Sequence, residues 1–405
     1  MKLSEQLKQR GFAHQTTLDS AEALDGPPLA FYWGVDPSAD SMTVGHLAVA
    51  MMVRQFIQAG HRAFLLVGGA TGMIGDPKND AERDLSSLET IAKNKKAIAA
   101  QYRRLFEGMD FTIVDNYDWF KSVKLLPFLR DVGKQFSMSQ LLDREFVKSR
   151  VGEGKAGLSY AEFSYSLIQG YDFWHLFKRH GVTLQVCGSD QWGNAVSGVE
   201  LIRKLEGAQA HVWSAPLIIN PETGVKFGKS ETGAVWLDER KTSAYRFYQF
   251  WLNVSDQVAG QYLKIYTALD LSEIDELLES AAANPSQRLA QKWLAREVTE
   301  LVHGAARAEA AERVSRVLFE AGDPAGLTYG DLKLLSAEIP TVRHSDSLMQ
   351  AAVDAGLATS LSDAGRLLAS GGLRVNGRVP DDGRLPDTRP LIIKKGKNEF
   401  ALILG

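Results

Sequence analysis

Apolar and polar positions recur along the chain in a set order. A short apolar run is followed by a break at Gly or Pro, then by a longer segment with apolar residues at helical spacing. Phe31 to Val35 predicts a strand, Pro37 breaks it, and Leu47 to Ile57 predicts a helix. Arg62 to Val67 predicts a second strand, running into the glycine-rich stretch Gly68 to Pro77. Residues 88–150 alternate helical patterns with short strands such as Phe111 to Asp115. Leu184 to Gly188 predicts another strand, with a helix from near Asp190 to Lys204. Strands alternating with helices predict a parallel sheet. Residues 162–177 are apolar and aromatic almost all round, which predicts a buried helix. Residues 1–30 read as an amphipathic helix and a loop ending at Pro27-Pro28. From about 240 the pattern is helical, as in Arg288 to His303 with Gly304 at the stop position. Residues 322–342 read as a Gly/Pro-punctuated connector, and 343–405 as a short unit, basic at its end.

Composition narrows the class. At 405 residues two or three domains are expected. Hydrophobic content of 45% and charged content of 23% are those of a soluble globular protein. A net charge of −3 excludes nucleic-acid binding through overall charge and leaves it to local patches. The single cysteine, Cys187, permits no disulfide within the chain; a reducing cytoplasm is expected, with Cys187 as a small buried hydrophobe. The first ten residues lack the apolar core of a signal peptide, and runs such as Leu47 to Val53 are too short to span a bilayer.

Candidate chemistry clusters at the strand ends. The strand, loop and helix over 31–46 have the order of a nucleotide site at the carboxyl end of a parallel strand. Gly34 and Gly45 remove side chains where a ligand or backbone comes close, and His46 falls in the first helical turn, where free N–H groups attract phosphate. Asp76 either caps a turn or meets a ligand. Arg83, in the polar stretch 78–90, is either a solvated charge or a phosphate contact. Tyr165, Gln169 and Asp172 share one face of a buried helix and need partners, from an internal network or from a polar small molecule. Asp190 suits an N-cap or a ribose hydroxyl. Lys226 and Lys229 bracket a glycine in a turn-rich loop, as surface charges or as a polyphosphate clamp. Arg366, Arg374, Arg378, Lys394 and Lys395 form either a phosphate-contacting face or a solvated basic surface.

Three segments in order resemble one family, the bacterial tyrosyl-tRNA synthetases of class I. Pro37 to His46 resembles the His-Ile-Gly-His signature, and Lys226 to Ser230 the Lys-Met-Ser-Lys-Ser signature. Gly188 to Asn194, Gly68 to Pro77 and Glu162 to Asp172 resemble the substrate-pocket segments. The tail resembles a small RNA-binding domain shared with a ribosomal protein. There are departures: Thr43 stands at the signature's first histidine, and Leu361 and Gly365 replace a basic and a larger residue in the tail.

The resemblance implies an α/β fold. A Rossmann-like parallel-sheet catalytic domain at 1–238 would precede an α-helical anticodon-binding domain at 239–325. A linker at 326–342 and an α+β RNA-binding domain at 343–405 would follow. It implies activation of L-tyrosine by ATP and transfer to tRNA(Tyr), in a cytoplasmic homodimer, with Mg2+ accompanying ATP and no protein-bound metal. Tyr32, Asp76, Tyr165, Gln169, Asp172 and Gln191 would bind tyrosine. Asp36, Gly45, His46, Gly188, Asp190, Lys226, Lys229 and Ser230 would bind ATP, with Thr43, His46 and both lysines promoting reaction. Rival readings are a tryptophan enzyme of the same class, a non-catalytic RNA-binding relative for which Thr43 speaks, and a nucleotide enzyme without RNA.

Overall fold

The structure is a computed structural model. It describes residues 1–77, 85–142, 145–152, 155, 157–219, 224, 227, 229–230, 233–320, 323–343, 345, 347–380 and 383–404. The chain forms two compact units, Met1–Lys241 with Ser255–Ala290, and Thr242–Val254 with Gln291–Gly405.

The first unit is built on a six-stranded sheet of order β1-β6-β5-β2-β3-β4. Its strands are β1 (Gln15–Thr16), β2 (Ala30–Val35), β3 (Arg62–Val67), β4 (Phe111–Asp115), β5 (Val182–Gly188) and β6 (His211–Ala215). All neighbours are parallel except the edge pair of β1 and β6. Helices cover both faces of such a sheet, so its strands read as continuous apolar runs, as Ala63 to Val67 does. The chain winds from β2 out to β4, then returns to β5 on the other side of β2. The reversal leaves a crevice between β2 and β5 at their carboxyl ends, where ligands of α/β sheets bind.

Local chemistry fixes the helices around that crevice. Helix α1 (Leu3–Gln9) ends at Arg10, whose guanidinium donates to the carbonyls of Lys264 (2.9 Å), Thr267 (3.2 Å) and Leu269 (2.6 Å). Helix α2 (Val44–Gln58) starts at an N-cap Thr43 and buries Leu47, Met51, Met52 and Phe56. Helix α3 (Leu88–Leu105) is capped by Ser87. Helix α4 (Tyr160–His180) has Ser159 as N-cap, and ends at Gly181 in the left-handed conformation (φ 67°). Its first turn is anchored by a buried pair, Arg150 to Glu162 at 2.9 Å, the two side chains 1% and 2% exposed. Helix α5 (Trp192–Glu206) follows a short turn, Ser189–Gln191. The helix begins near Asp190 as expected, but the N-cap reading of Asp190 is corrected: Gln191 is the N-cap position and Asp190 lies inside the preceding turn. The Asp190 carboxylate folds back against Gly188, where an added Cβ would lie 2.7 Å from Oδ1. Two further strands, β7 (Lys229–Ser230) and β8 (Gly233–Ala234), pair antiparallel.

The second unit contains helices Ala244–Leu252, Ala305–Phe319 and Tyr329–Ser336, and an α+β portion. That portion has a four-stranded sheet of order β10-β11-β12-β9, from β9 (Thr341–Val342), β10 (Leu373–Val375), β11 (Leu391–Lys395) and β12 (Glu399–Ile403). Helices Leu348–Asp354 and Leu361–Ala369 pack on it through Leu348, Ala351, Ala352 and Ala364. The connector expected over 322–342 is more ordered than its Gly/Pro content suggested. Thr328 and Asp331 form a reciprocal cap for Tyr329–Ser336, Arg313 holds Asp331 at 3.0 Å, and Leu335 enters the core. Thr341–Val342 then pairs with β12.

The Arg10 anchor gives a stability test. Arg10→Ala strips the donors from three carbonyls and is expected to cost about 2–4 kcal/mol, read as a lower urea midpoint. An unchanged midpoint would contradict the anchoring role.

Candidate active site

A cavity of about 440 Å³ lies at the carboxyl ends of β2 and β5, lined from β2, α2, α4 and the loops after β3 and β5. Tyr32, Asp36, Thr43, Gly45, His46, Asp76, Tyr165, Gln169, Asp172, Gly188, Asp190 and Gln191 all line it. Residues far apart in sequence, from Tyr32 to Gln191, are gathered because three strand ends and two helices converge there. Lys226 and Arg83 lie outside the described residues, as do the side chains of Lys229 and Ser230; the backbone of the latter two forms β7.

The polar face of α4 carries the internal network that its pattern demanded. Asp172, 2% exposed, accepts from Asn116 Nδ2 (3.0 Å) and Trp119 Nε1 (2.8 Å). Burial raises its pKa to about 8 in spite of those two donors, and Asp36 and Asp115 add to the rise. Tyr165 donates to Asp36 Oδ2 at 2.8 Å, and Thr71 donates to Asp36 Oδ1 at 2.6 Å. Gly68 is required beside them, since a Cβ there would fall 2.1 Å from Asp36 and 2.2 Å from Thr71. Asp76 accepts from Gln191 (2.8 Å) and Asn194 (3.3 Å), and Ser166 orients Asn194 at 2.6 Å.

Among the described residues, two buried groups in the cavity have no hydrogen-bond partner. Tyr32 Oη and Gln185 Oε1 are buried with no hydrogen-bond partner. Tyr32 and Gln185 are register partners on the adjacent parallel strands β2 and β5, so their side chains share one face of the sheet. Burial and the nearby Asp172 carboxyl hold the Tyr32 phenol protonated, well above its ordinary pKa. Cys187 also lines the cavity; burial raises its thiol pKa, which keeps it inert.

At the other end His46 sits on the first turn of α2. Its Nδ1 accepts from the Thr43 backbone N–H at 3.2 Å and lies 3.0 Å from Thr43 Oγ1. Burial lowers the imidazole pKa, and Asp190 opposes that shift. A neutral imidazole donor at the positive end of the α2 dipole suits an anion.

The sequence reading missed Asn116, Trp119, Thr71, Asn194 and Gln185. Asn116 carried a signal, since it directly follows the carboxyl end of β4. Asn194 and Gln185 lay within segments already singled out.

Of the basic residues of the tail, Arg366, Arg374 and Arg378 are exposed, and Lys394 and Lys395 are half-buried. Arg366 pairs with Asp363 at 3.2 Å, and Lys395 with Glu399 at 3.0 Å. Arg374 and Lys394 face each other across β10 and β11; Lys394 also lies over the rings of Phe319 and Phe400. Arg378 bridges back to Val375 in the turn after β10.

The family model for tRNA synthetases of class I (W and Y) matches residues 24–320. The chain belongs to that family. It is an aminoacyl-tRNA ligase with a Rossmann-like parallel sheet, a helical portion and a small α+β portion. It is 44% identical to a tyrosine–tRNA ligase of Streptococcus thermophilus, over 98% of this chain and 99% of that one. A tyrosine–tRNA ligase of Streptococcus pyogenes is 42% identical over the whole of both chains. The solved structure of a C-terminally truncated mitochondrial tyrosyl-tRNA synthetase of Aspergillus nidulans matches with a TM-score of 0.71. That match is 30% identical and covers 78% of this chain and 94% of the other.

The raised pKa of Asp172 has a signed consequence. The folded, ligand-free protein holds this proton between pH about 4 and about 8, where the unfolded chain releases it. Stability therefore falls as pH rises through that window on account of this group. Asp172→Asn is expected to flatten the decline of urea midpoint from pH 5 to pH 9, whatever its effect at pH 5. Parallel profiles for the two proteins would contradict the shift.

Proposed function

We infer that this chain is a tyrosine–tRNA ligase. It condenses L-tyrosine with ATP to tyrosyl-adenylate and pyrophosphate, then passes the tyrosyl group to the terminal adenosine of tRNA(Tyr). The observation that carries the choice of amino acid is the unpartnered, buried Tyr32 hydroxyl in the same cavity as the buried Asp172 carboxyl. A phenolic hydroxyl accepts from Tyr32 and donates to Asp172. An indole N–H only donates, and a phenyl ring does neither. The relatives' names agree with this choice.

The tyrosine carboxylate attacks the α-phosphorus, and the bond to the pyrophosphate oxygen breaks. The nucleophile is already ionised, so no general base is needed; catalysis is positioning and stabilisation of phosphate charge. Asp76, Tyr165, Gln169 and Gln191 hold the ammonium and carboxylate of the amino acid. Asp36, Gly45, His46, Gly188, Asp190 and Ser230 contact ATP, which brings its Mg2+ with it, and Lys226 and Lys229 close on the departing pyrophosphate. We assign 1–238 to catalysis, 239–325 to the anticodon region and 343–405 to RNA contact, with Arg366, Arg374, Arg378, Lys394 and Lys395 meeting phosphate. Large apolar side chains exposed between 125 and 160, Leu125, Leu126, Met138, Leu142 and Tyr160 among them, support a homodimer through this region. No helix among the described residues is long and apolar enough to cross a membrane; a cytoplasmic setting fits the single, buried cysteine.

ATP–pyrophosphate exchange tests the reading. Exchange is expected with tyrosine and not with tryptophan or phenylalanine, and Asp172→Ala is expected to lower it by about a hundredfold or more. Tryptophan-dependent exchange would overturn the choice of substrate. Lys229→Ala is expected to lower kcat with little change in KM; a raised KM at unchanged kcat would contradict its role on the leaving group.

A further inference from the structure

Thr43 occupies the position where the family signature has its first histidine, and its contacts give it a different task. Residue 43 is pinned opposite Trp236 in an antiparallel bridge. Leu237 N–H donates to the Met42 carbonyl at 2.9 Å, and Val44 N–H donates to the Val235 carbonyl at 3.1 Å. In a pair of this kind the central residue turns its own N–H and C=O away from the partner strand. The Thr43 carbonyl accordingly accepts from Leu47 N–H at 3.1 Å, and its N–H points at His46 Nδ1.

A backbone N–H can only donate. The nitrogen it meets must present a lone pair, so Nδ1 carries no proton, and Thr43 Oγ1 at 3.0 Å donates its hydroxyl proton to the same atom. The neutral ring then has its hydrogen on Nε2, the remaining polar edge of a residue that lines the cavity. We propose that Thr43 is a positioning residue which fixes His46 as a neutral Nε2–H donor for the nucleotide. With its own proton committed to Nδ1, the threonine acts through the imidazole and not on phosphate. Asp190, on the turn after β5, is the charged group that opposes it by favouring the imidazolium. The proposal rests on the ATP reading of this cavity.

The test is the tautomer. In protein labelled with 15N-histidine, the His46 resonances, assigned by their loss in His46→Gln, are expected to show Nε2 protonated and Nδ1 bare in the absence of any substrate. Thr43→Val keeps the main-chain donor and loses the hydroxyl, so it is expected to keep Nε2 protonated, to shift the Nδ1 resonance through the lost hydrogen bond and to lose about tenfold in kcat/KM for ATP, with Thr43→Ser restoring both. A wild-type ring protonated on Nδ1 or mixed would overturn the proposal, as would a Thr43→Val protein with an unchanged Nδ1 resonance and unchanged kinetics. Because the spectrum is taken without substrates, its failure is distinct from failure of wild-type tyrosine-dependent exchange, which would overturn the ligase reading instead.

Discussion

A carboxyl group buried among aromatic rings is the constraint around which the first unit is arranged. Asp172 acts electrostatically on Tyr32, whose ring lies 5.2 Å from that of Phe173, and burial disfavours its charge. Two donors hold it, Asn116 and Trp119, and both come from the segment just after β4. Asn116 in turn accepts the Ala70 N–H at 2.6 Å and donates to Thr71 at 3.1 Å, so the glycine-rich loop after β3 is set by the same residue. Thr71 passes the chain of contacts to Asp36 and so to Tyr165. Three strand ends and one helix are thereby registered through hydrogen bonds in which the Tyr32 hydroxyl takes no part.

The sheet order gives the cavity two ends of different chemistry. β2 is central, with β3 and β4 on one side and β5 and β6 on the other. The aromatic residues of β2 and the polar face of α4 enclose one end, where apolar walls and a few polar groups suit an amino-acid side chain. The N-terminus of α2 and the turn after β5 form the other end, where backbone N–H groups suit phosphate. The bridge between Thr43 and Trp236 joins the start of α2 to the chain just beyond β8.

Much of this was readable from the chain because local pattern and tertiary role coincide. The strands at 30–35, 62–67 and 111–115 and the helix at 160–180 follow from apolar runs and spacing. Tyr165, Gln169 and Asp172 stand out because polar groups on a buried helix need partners. Asn116 and Trp119 did not stand out, since an amide and an indole in a loop carry no periodicity; only the strand end before them marks the place. Asp190 was placed as a helix cap because Ser-Asp-Gln after a strand matches that pattern. The packing of its carboxylate against Gly188 is a tertiary fact that the pattern does not carry. Residues 326–342 misled in the same way, because Gly and Pro mark turns without revealing that Leu335 and Val342 are buried.

In the proposed reading, the ring hydroxyl of bound tyrosine completes the hydrogen bonding of Tyr32 and Asp172. The most direct measurement is a crystal structure with L-tyrosine bound. The account predicts the phenolic oxygen within about 3.2 Å of both Tyr32 Oη and an Asp172 carboxylate oxygen. A bound tyrosine whose hydroxyl meets neither group, with Tyr32 still unpaired, would contradict it.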